Sequence, residues 1–220
     1  MLLRNDGNGK FTEITSAAKV NDLGHVVSII PTDFNNRRDI DLFVVSYGKP
    51  PALFSNQRDG TFRNVAGEAG LPSAGNWSCA AAGDLNKDGY TDFFLGRADG
   101  PGVFAMSDGH EKFKLVNALD SSAKARAAQF VDYDNDGLLD CVVLTDNGVH
   151  VLRNLGNGWD DVTTRAISSD LGAEKLSGSR LLASVDLDND GNEDFITLTS
   201  SGQLRVAHNS GGSGNHEAFR

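Results

Sequence analysis

Several kinds of residue are scarce in this 220-residue chain. Its two cysteines, Cys79 and Cys141, are too few for the dense disulfide framework of a small secreted scaffold. Both lie in apolar or alanine-rich segments, so we expect two buried thiols; a disulfide or a redox pair is the alternative. No apolar run approaches the roughly 18 residues of a membrane-spanning helix, and the first residues lack the apolar stretch of a signal peptide. We therefore expect no membrane insertion.

Positive charge is also scarce. The chain has 20 lysines and arginines against 30 aspartates and glutamates, which gives a net charge of -10. Without a Lys/Arg stripe to neutralise phosphates, we expect no nucleic-acid partner. A hydrophobic fraction of 39% indicates a folded core. The 25 glycines are typical of many short strands joined by tight turns.

Catalytic signatures are missing as well. The sequence has no GxSxG elbow, no glycine-rich phosphate loop and no Cys–His constellation. The five histidines have no zinc-binding spacing such as HExxH, and His150 and His208 fall near equivalent places of a repeat; the histidines are His25, His110, His150, His208 and His216. We therefore expect a protein that is not an enzyme.

The acidic residues concentrate in three nine-residue segments, here named loop II (residues 84–92), loop III (132–140) and loop IV (186–194). Each has carboxylates at its first, fifth and ninth residues and glycine at its sixth. Alternating short oxygen ligands around a glycine turn are what Ca²⁺ needs, with side chains at residues one, three, five and nine and the carbonyl of residue seven as ligands. The predicted ligands are Asp84, Asn86, Asp88, Tyr90 and Asp92; Asp132, Asp134, Asp136, Leu138 and Asp140; and Asp186, Asp188, Asp190, Asn192 and Asp194.

The loops have two other interpretations. An EF-hand requires flanking helices and a glutamate at residue twelve, where this sequence has Leu95, Val143 and Thr197 inside apolar runs. Asp/Asn turns without any metal are the second alternative, but four close carboxylates repel one another strongly when no cation is bound. We therefore expect about three calcium ions in the chain.

A fourth, degenerate copy lies at residues 33–41, here named loop I. Arg37 and Arg38 replace the carboxylate and the glycine at its fifth and sixth residues. We expect no calcium there, with a guanidinium among Asp33, Asp39 and Asp41 in place of the ion.

The loops belong to a repeat of about 50 residues. A second signature, an asparagine-glycine turn followed by an aromatic residue, recurs in register with them, as in Asn5–Phe11, Asn56–Phe62 and Asn154–Trp159. Four short strands in each repeat predict an all-β fold, a β-propeller of four-stranded antiparallel blades. We expect one domain over residues 1–220, with repeats at about 1–20 (partial), 21–75, 76–121, 122–172 and 173–220 (partial).

Loop II with its flanks, Gly83 to Phe93, resembles the FG-GAP/VCBS repeats of integrin α-subunit propellers and of many bacterial surface proteins. The segment from Leu53 to Leu71 is similar to one branch, the repeats of ASPIC/UnbV and cartilage acidic protein-like proteins. The resemblance implies a propeller, usually seven-bladed, with calcium in a hairpin loop, in an exported protein. Because about four periods are present, the chain is a fragment of a larger propeller, closes on itself, or completes a ring by self-association through open blade edges.

These features predict a calcium-stabilised scaffold or interaction module of the adhesion type, located outside the cell, at its surface or in the periplasm. Its partner would be a protein or a glycan on the propeller surface. The alternative is a lectin-like propeller whose aromatic residues stack on sugars; the candidates are Tyr47, Trp77, Tyr90, Tyr133 and Trp159. Trp159 occupies a repeat position otherwise filled by phenylalanine, which favours core packing, whereas Trp77 is less constrained.

Overall fold

The computed structural model describes residues 1–167, 179 and 181–210, with only the backbone of Leu181. Within these ranges the regular structure is nearly all strand, apart from a 3-10 turn at Asp120–Ser122 and a single helical turn, α1, at Thr163–Ala166. The strands are β1 (Leu3–Gly7), β2 (Lys10–Glu13), β3 (His25–Thr32), β4 (Asp41–Tyr47), β5 (Ala52–Asn56), β6 (Phe62–Asn64), β7 (Trp77–Gly83), β8 (Asp92–Arg97), β9 (Val103–Ser107), β10 (Phe113–Asn117), β11 (Ala125–Val131), β12 (Asp140–Thr145), β13 (Gly148–Asn154), β14 (Trp159–Asp161), β15 (Leu181–Val185), β16 (Asp194–Leu198) and β17 (Leu204–Ala207).

The strands form successive antiparallel meanders. After an N-terminal hairpin of β1 and β2 come three four-stranded sheets, blade I (β3–β6), blade II (β7–β10) and blade III (β11–β14). The described part of blade IV has three strands, β15–β17. Within each sheet, strands that are consecutive in the chain pair with each other, so each blade is built from local hairpins. The predicted all-β propeller of four-stranded blades is confirmed.

The first strands of consecutive blades contact one another: β3 lies against β7, β7 against β11, and β11 against β15. This close approach explains the small residues that the sequence places in β7 and β11, such as Ala80, Ala82 and Ala127. At Gly83 a Cβ atom would lie only 2.9 Å from a methyl carbon of Leu139, a residue of the next blade. A larger residue there would push blades II and III apart.

The core lies between the blades. Between blades I and II, the rings of Phe43 and Phe93 stack with centroids 4.1 Å apart inside one apolar cluster. A second cluster joins blades II and III, and a third joins blades III and IV. The second strands β8 and β12 are buried on both faces, as expected for strands between two neighbouring blades. Burial of apolar area, about 25 cal/mol per Å², is therefore the main force that holds blade to blade.

Trp77, a candidate for sugar stacking in the lectin alternative, is buried. It begins β7 and is 2% exposed. A Cβ atom on Gly75 would lie 2.3 Å from its ring, and the Arg97 guanidinium lies 5.9 Å from the ring centroid. Because no face of the indole is open to a ligand, the prediction for Trp77 is wrong. Tyr133 is 6% exposed and is excluded as a sugar-stacking residue for the same reason.

Cys79 and Cys141 are both buried free thiols, as expected. Burial raises the pKa of Cys79 to about 12, so neither the alternative disulfide nor a reactive thiolate describes it. The single-domain assignment and the repeat boundaries stay predictions. The junction of the last two predicted repeats, near residue 172, and His216 lie outside the described residues.

Candidate metal centres

Loops I to IV each join the first and second strands of their blade, and their backbones follow the same path. The fourth residue of every loop has a left-handed φ of 55° to 59°, namely Asn36 (55°), Lys87 (58°), Asn135 (57°) and Asn189 (59°). The sixth residue is also left-handed, which glycine adopts without strain in loops II to IV. In loop I, Arg38 holds this conformation with φ 63°, at a cost of about 1 kcal/mol. The degenerate loop therefore keeps the turn after losing its glycine.

The first aspartate of each loop closes this turn. In loop II, Asp84 accepts hydrogen bonds from the backbone N–H groups of Asp88 (3.1 Å) and Gly89 (2.9 Å). In loop I, Asp33 accepts the equivalent bonds from Arg37 and Arg38, both 2.9 Å. These bonds form with backbone groups, which explains why the loop survives the change of side chains in loop I.

The ninth residue is a fully buried aspartate that ties each loop to the third strand. In loop II, Asp92 accepts one backbone N–H bond from Ser107 (2.7 Å) and one from Leu85 (2.9 Å). Loops III and IV repeat both bonds, from Asn154 and Tyr133 to Asp140 and from Asn209 and Leu187 to Asp194. Burial raises the pKa of Asp92 to about 6 and that of Asp140 to about 7, although the N–H bonds lower it. This structural role was not predicted.

Loop III combines several features of a cation site. Carboxylate oxygens of Asp132, Asp134 and Asp136 lie within 4.8 Å of one another. The Asp134 side chain is 4% exposed, and one oxygen each of Asp132 and Asp134 is buried without a hydrogen-bond partner. Buried carboxylate oxygens without partners are costly. An all-oxygen, carboxylate-rich donor set of this kind fits calcium.

Loops IV and II differ in their ligand sets. In loop IV, carboxylate oxygens of Asp186, Asp188 and Asp190 also lie within 4.8 Å of one another. In loop II the third residue is Asn86, whose amide oxygen accepts the N–H of Asp88 at 3.2 Å. Among its predicted ligands, loop II therefore has one carboxylate fewer than loops III and IV.

The seventh residue of each loop, whose carbonyl oxygen is a predicted calcium ligand, is held in place by a hydrogen bond from its own backbone N–H. The N–H of Tyr90 donates to Asp88 at 2.8 Å, and those of Leu138 and Asn192 donate to Asp136 (2.9 Å) and Asp190 (2.8 Å). These bonds position the fifth-residue carboxylate in each loop. The ligand role of every residue in loops II to IV stays a prediction.

In loop I the guanidinium comes from a residue other than those predicted. Arg58, in the turn after β5, pairs with Asp39 at 2.5 Å and donates to the carbonyl of Arg37. Among the described ion pairs, none involves the side chains of Arg37 or Arg38. The expected guanidinium is therefore present beside loop I, but its assignment to Arg37 or Arg38 is wrong.

Basic residues also lie beside loops III and IV. Arg153 approaches Asp134 at 2.7 Å and Asp136 at 3.0 Å. His208 approaches Asp188 at 2.6 Å, and this hydrogen bond raises the pKa of the imidazole. Neither contact was predicted. His150, which the sequence places near the equivalent position to His208, instead lies 3.5 Å from Asp161. The sequence feature that could have identified Arg153 and His208 is their position directly before the asparagine of the turn signature.

A cavity of about 240 Å³ lies between blades II and III, next to loop II. Trp159 lines it together with Asn86 and Asn154. The indole stacks on Phe104, with ring centroids 4.3 Å apart and an interplanar angle of 3°. Trp159 thus packs against the core, as expected, and also contributes to the wall of an open cavity.

Comparison with known proteins places the chain in a family. The family model FG-GAP-like repeat matches residues 33–95, 84–143 and 132–197, well over half of the sequence. The chain belongs to this family of FG-GAP-like repeat proteins, whose repeats form β-propellers and fit the role of an interaction module. The assignment to the ASPIC/UnbV branch stays a prediction. The comparison with curated proteins found no match.

Two solved structures share the fold. A lectin of Agrocybe aegerita that recognises non-reducing terminal N-acetylglucosamine is 20% identical with a TM-score of 0.63, over 99% of this chain and 58% of the lectin. The Tc holotoxin pore of Photorhabdus luminescens is 18% identical with a TM-score of 0.51, over 87% of this chain and 9% of that one. The chain thus spans less than two thirds of either neighbour. In the described ranges, no helix is both long and apolar enough to span a bilayer.

Proposed function

We propose that this chain is a calcium-stabilised interaction module of an exported protein, and that its loops bind structural ions. The observation that carries the proposal is the pair of buried, unpartnered oxygens of Asp132 and Asp134 within the carboxylate group of loop III. Loop IV has a similar group of three carboxylates. Membership of the FG-GAP-like family supports the same assignment.

In this proposal the chain supplies the ligand oxygens and calcium supplies the compensating charge. Asp132, Asp134 and Asp136 would hold the ion in loop III, with Asp186, Asp188 and Asp190 in the equivalent places of loop IV. Asp140 and Asp194 link these loops to the third strand through backbone N–H bonds. A bound ion would therefore stiffen the connection between three strands of a blade.

The expected stabilisation is large enough to matter outside the cell. For a dissociation constant near 0.1 mM, typical of extracellular modules, millimolar calcium adds about 1.4 kcal/mol per loop. Three independent loops add about 4 kcal/mol, a large share of a typical free energy of unfolding. A rigid surface for a protein or glycan partner is the proposed result, and no catalytic role is assigned.

The experiment is thermal unfolding in calcium, in magnesium and in chelator. We expect a calcium-specific rise of Tm of about 10 °C, as about 4 kcal/mol gives in a chain of this size. The double variant Asp134→Asn/Asp188→Asn should lose most of the rise, while Asp99→Asn, an exposed surface change, should keep it. An equal response to magnesium, or an undiminished rise in the double variant, would refute calcium binding at these loops.

A glycan-binding propeller is the second candidate, favoured by the cavity beside Trp159. The indole has one face on Phe104, and the residue lines a mainly apolar cavity together with the amide side chains of Asn86 and Asn154, a combination suited to stacking and hydrogen bonding with a sugar. Binding of the protein to a glycan on an array, lost in Trp159→Phe, would favour this candidate over a protein partner.

A further inference from the structure

At the end of the third strand in blades I to III, and two residues after β17 in blade IV, one residue donates its backbone N–H to the last aspartate of the loop. These residues are Asn56, Ser107, Asn154 and Asn209, with distances of 2.7, 2.7, 2.8 and 2.7 Å. The residue directly before each of them is therefore at an equivalent place in all four blades. In blades III and IV its side chain reaches the loop.

The residue at this place varies together with the third residue of the loop. In blades III and IV the third residue is an aspartate, Asp134 or Asp188, and the strand residue is basic, Arg153 or His208. In blades I and II the third residue is an asparagine, and the strand residue is uncharged. Those pairs are Asn35 with Ser55 and Asn86 with Met106.

We propose that this strand residue is a built-in counter-cation matched to the extra carboxylate, and that Arg153 thereby sets the calcium affinity of loop III. The proposal rests on the proposed calcium binding. In the absence of the ion, the guanidinium offsets the repulsion between Asp134 and Asp136. Because it also repels an incoming divalent cation, it weakens calcium binding while it stabilises the ion-free loop.

The geometry assigns different oxygens to the two cations. Arg153 contacts the Oδ2 atoms of Asp134 and Asp136, at 2.7 and 3.0 Å. The Oδ1 atoms of Asp132 and Asp134 are both buried and have no hydrogen-bond partner. Arg153 therefore does not need to leave for calcium to bind, and its effect on affinity is electrostatic.

Other charged groups near loop III are accounted for. Lys87 of loop II extends over Gly137, and its ammonium nitrogen would lie 2.7 Å from a Cβ atom added to that glycine. Asp140 is buried behind the loop and bound by two backbone N–H groups. Both groups are unchanged in the variants below, so differences among the variants report on Arg153 and Asp134.

Blade II suggests the variants, since it has asparagine and methionine in the two places. The set is Arg153→Met, Asp134→Asn and the double variant, each measured in chelator and by calcium titration. In chelator we expect both single variants to lower Tm, and the double variant to lower it less than the sum of the two, because the changes remove one shared ion pair. In calcium we expect Arg153→Met to bind at loop III about tenfold more tightly, the repulsion between a single and a double charge a few ångströms apart in water.

The control is Arg126→Met, which removes a surface arginine paired with Asp146 outside the loops and should change neither quantity. Additive Tm losses of the two single variants in chelator would overturn the proposed role of Arg153 as a counter-cation. Unchanged or weaker calcium binding in Arg153→Met would overturn the effect on affinity. If the wild type binds no calcium, the proposed function and the affinity effect both fail, and the chelator cycle separately decides the ion pair.

Discussion

At the scale of single residues, the aspartates of these loops have two different functions. The ninth residue, such as Asp92, is fully buried, and both of its oxygens accept backbone N–H groups from two other parts of the blade. The fifth residue, such as Asp88, is exposed and accepts the N–H of Tyr90 within the loop. Removing one should damage the fold, whereas removing the other should mainly damage ion binding.

This difference is testable in loop II. In Asp92→Asn an NH2 group faces one of two backbone donors, so we expect the free energy of unfolding in chelator to fall by about 1–3 kcal/mol. In Asp88→Asn we expect a change within about 0.5 kcal/mol in chelator, together with a smaller stabilisation by calcium. Urea unfolding with and without calcium measures both quantities. Equal losses for the two variants in chelator would contradict the division of functions.

The sequence predicts the convergence of three carboxylates in loop III and in loop IV, but not their basic partners. The spacing of Asp132, Asp134 and Asp136 is local, so their convergence follows from a tight turn. The contact of Arg153 with Asp134 depends on the pairing of β12 with β13, which spacing within the loop does not report. For the same reason Arg58, rather than Arg37 or Arg38, could not be identified beside loop I.

At the scale of elements, the loops of neighbouring blades are linked to one another. The Asn36 amide donates to the carbonyl of Gly89 in loop II at 2.9 Å, and the Asn135 amide donates to Asn192 in loop IV at 2.6 Å. Asn154, at the end of β13, donates to the carbonyls of Leu85 in blade II and Leu139 in its own blade. The loops therefore form one continuous hydrogen-bonded edge of the propeller.

Asn154 tests this linkage. In Asn154→Ala the two carbonyls lose their donor in a buried setting, so we expect the free energy of unfolding to fall by about 1–3 kcal/mol. Asn157→Ala, an exposed change in the same turn, should have little effect. Urea unfolding compares the two variants. A loss for Asn154→Ala no larger than that for Asn157→Ala would show that the bridge between blades contributes nothing.

The strands themselves were predictable because hairpins are local. Asparagine-glycine turns and alternating apolar residues place β5 and β6, or β13 and β14, without any knowledge of the neighbouring blade. The burial of Trp77 was not predictable in this way, because it depends on the contact of Gly75 with the indole ring before β7 begins.

At the scale of the whole molecule, apolar contacts join each blade to the next, while the two outer flanks expose apolar side chains. Ile29 of β3 is 59% exposed, and Leu204 of β17 is 62% exposed. A cavity of about 240 Å³ lined by Val26, Ile29 and Leu42 opens beside blade I. A larger propeller, closure of the chain on itself and self-association, the three alternatives left open by the repeat count, would each cover these surfaces.

The repeat period predicts the propeller because each blade is one local meander that buries its faces against the next. The buried second strands β8 and β12 show this organisation directly. The number of blades in a ring follows from the angle between neighbouring blades, which packing of side chains such as Phe43 on Phe93 sets. That packing is not encoded in the length of the period.

The acidic loops bind calcium in this proposal, and isothermal titration of the chelator-treated chain with the ion is the decisive measurement. We expect about three ions per chain in the wild type and one fewer in Asp134→Asn, with magnesium unable to compete at equal concentration. Absence of binding at millimolar calcium, or a stoichiometry that Asp134→Asn leaves unchanged, would contradict the claim.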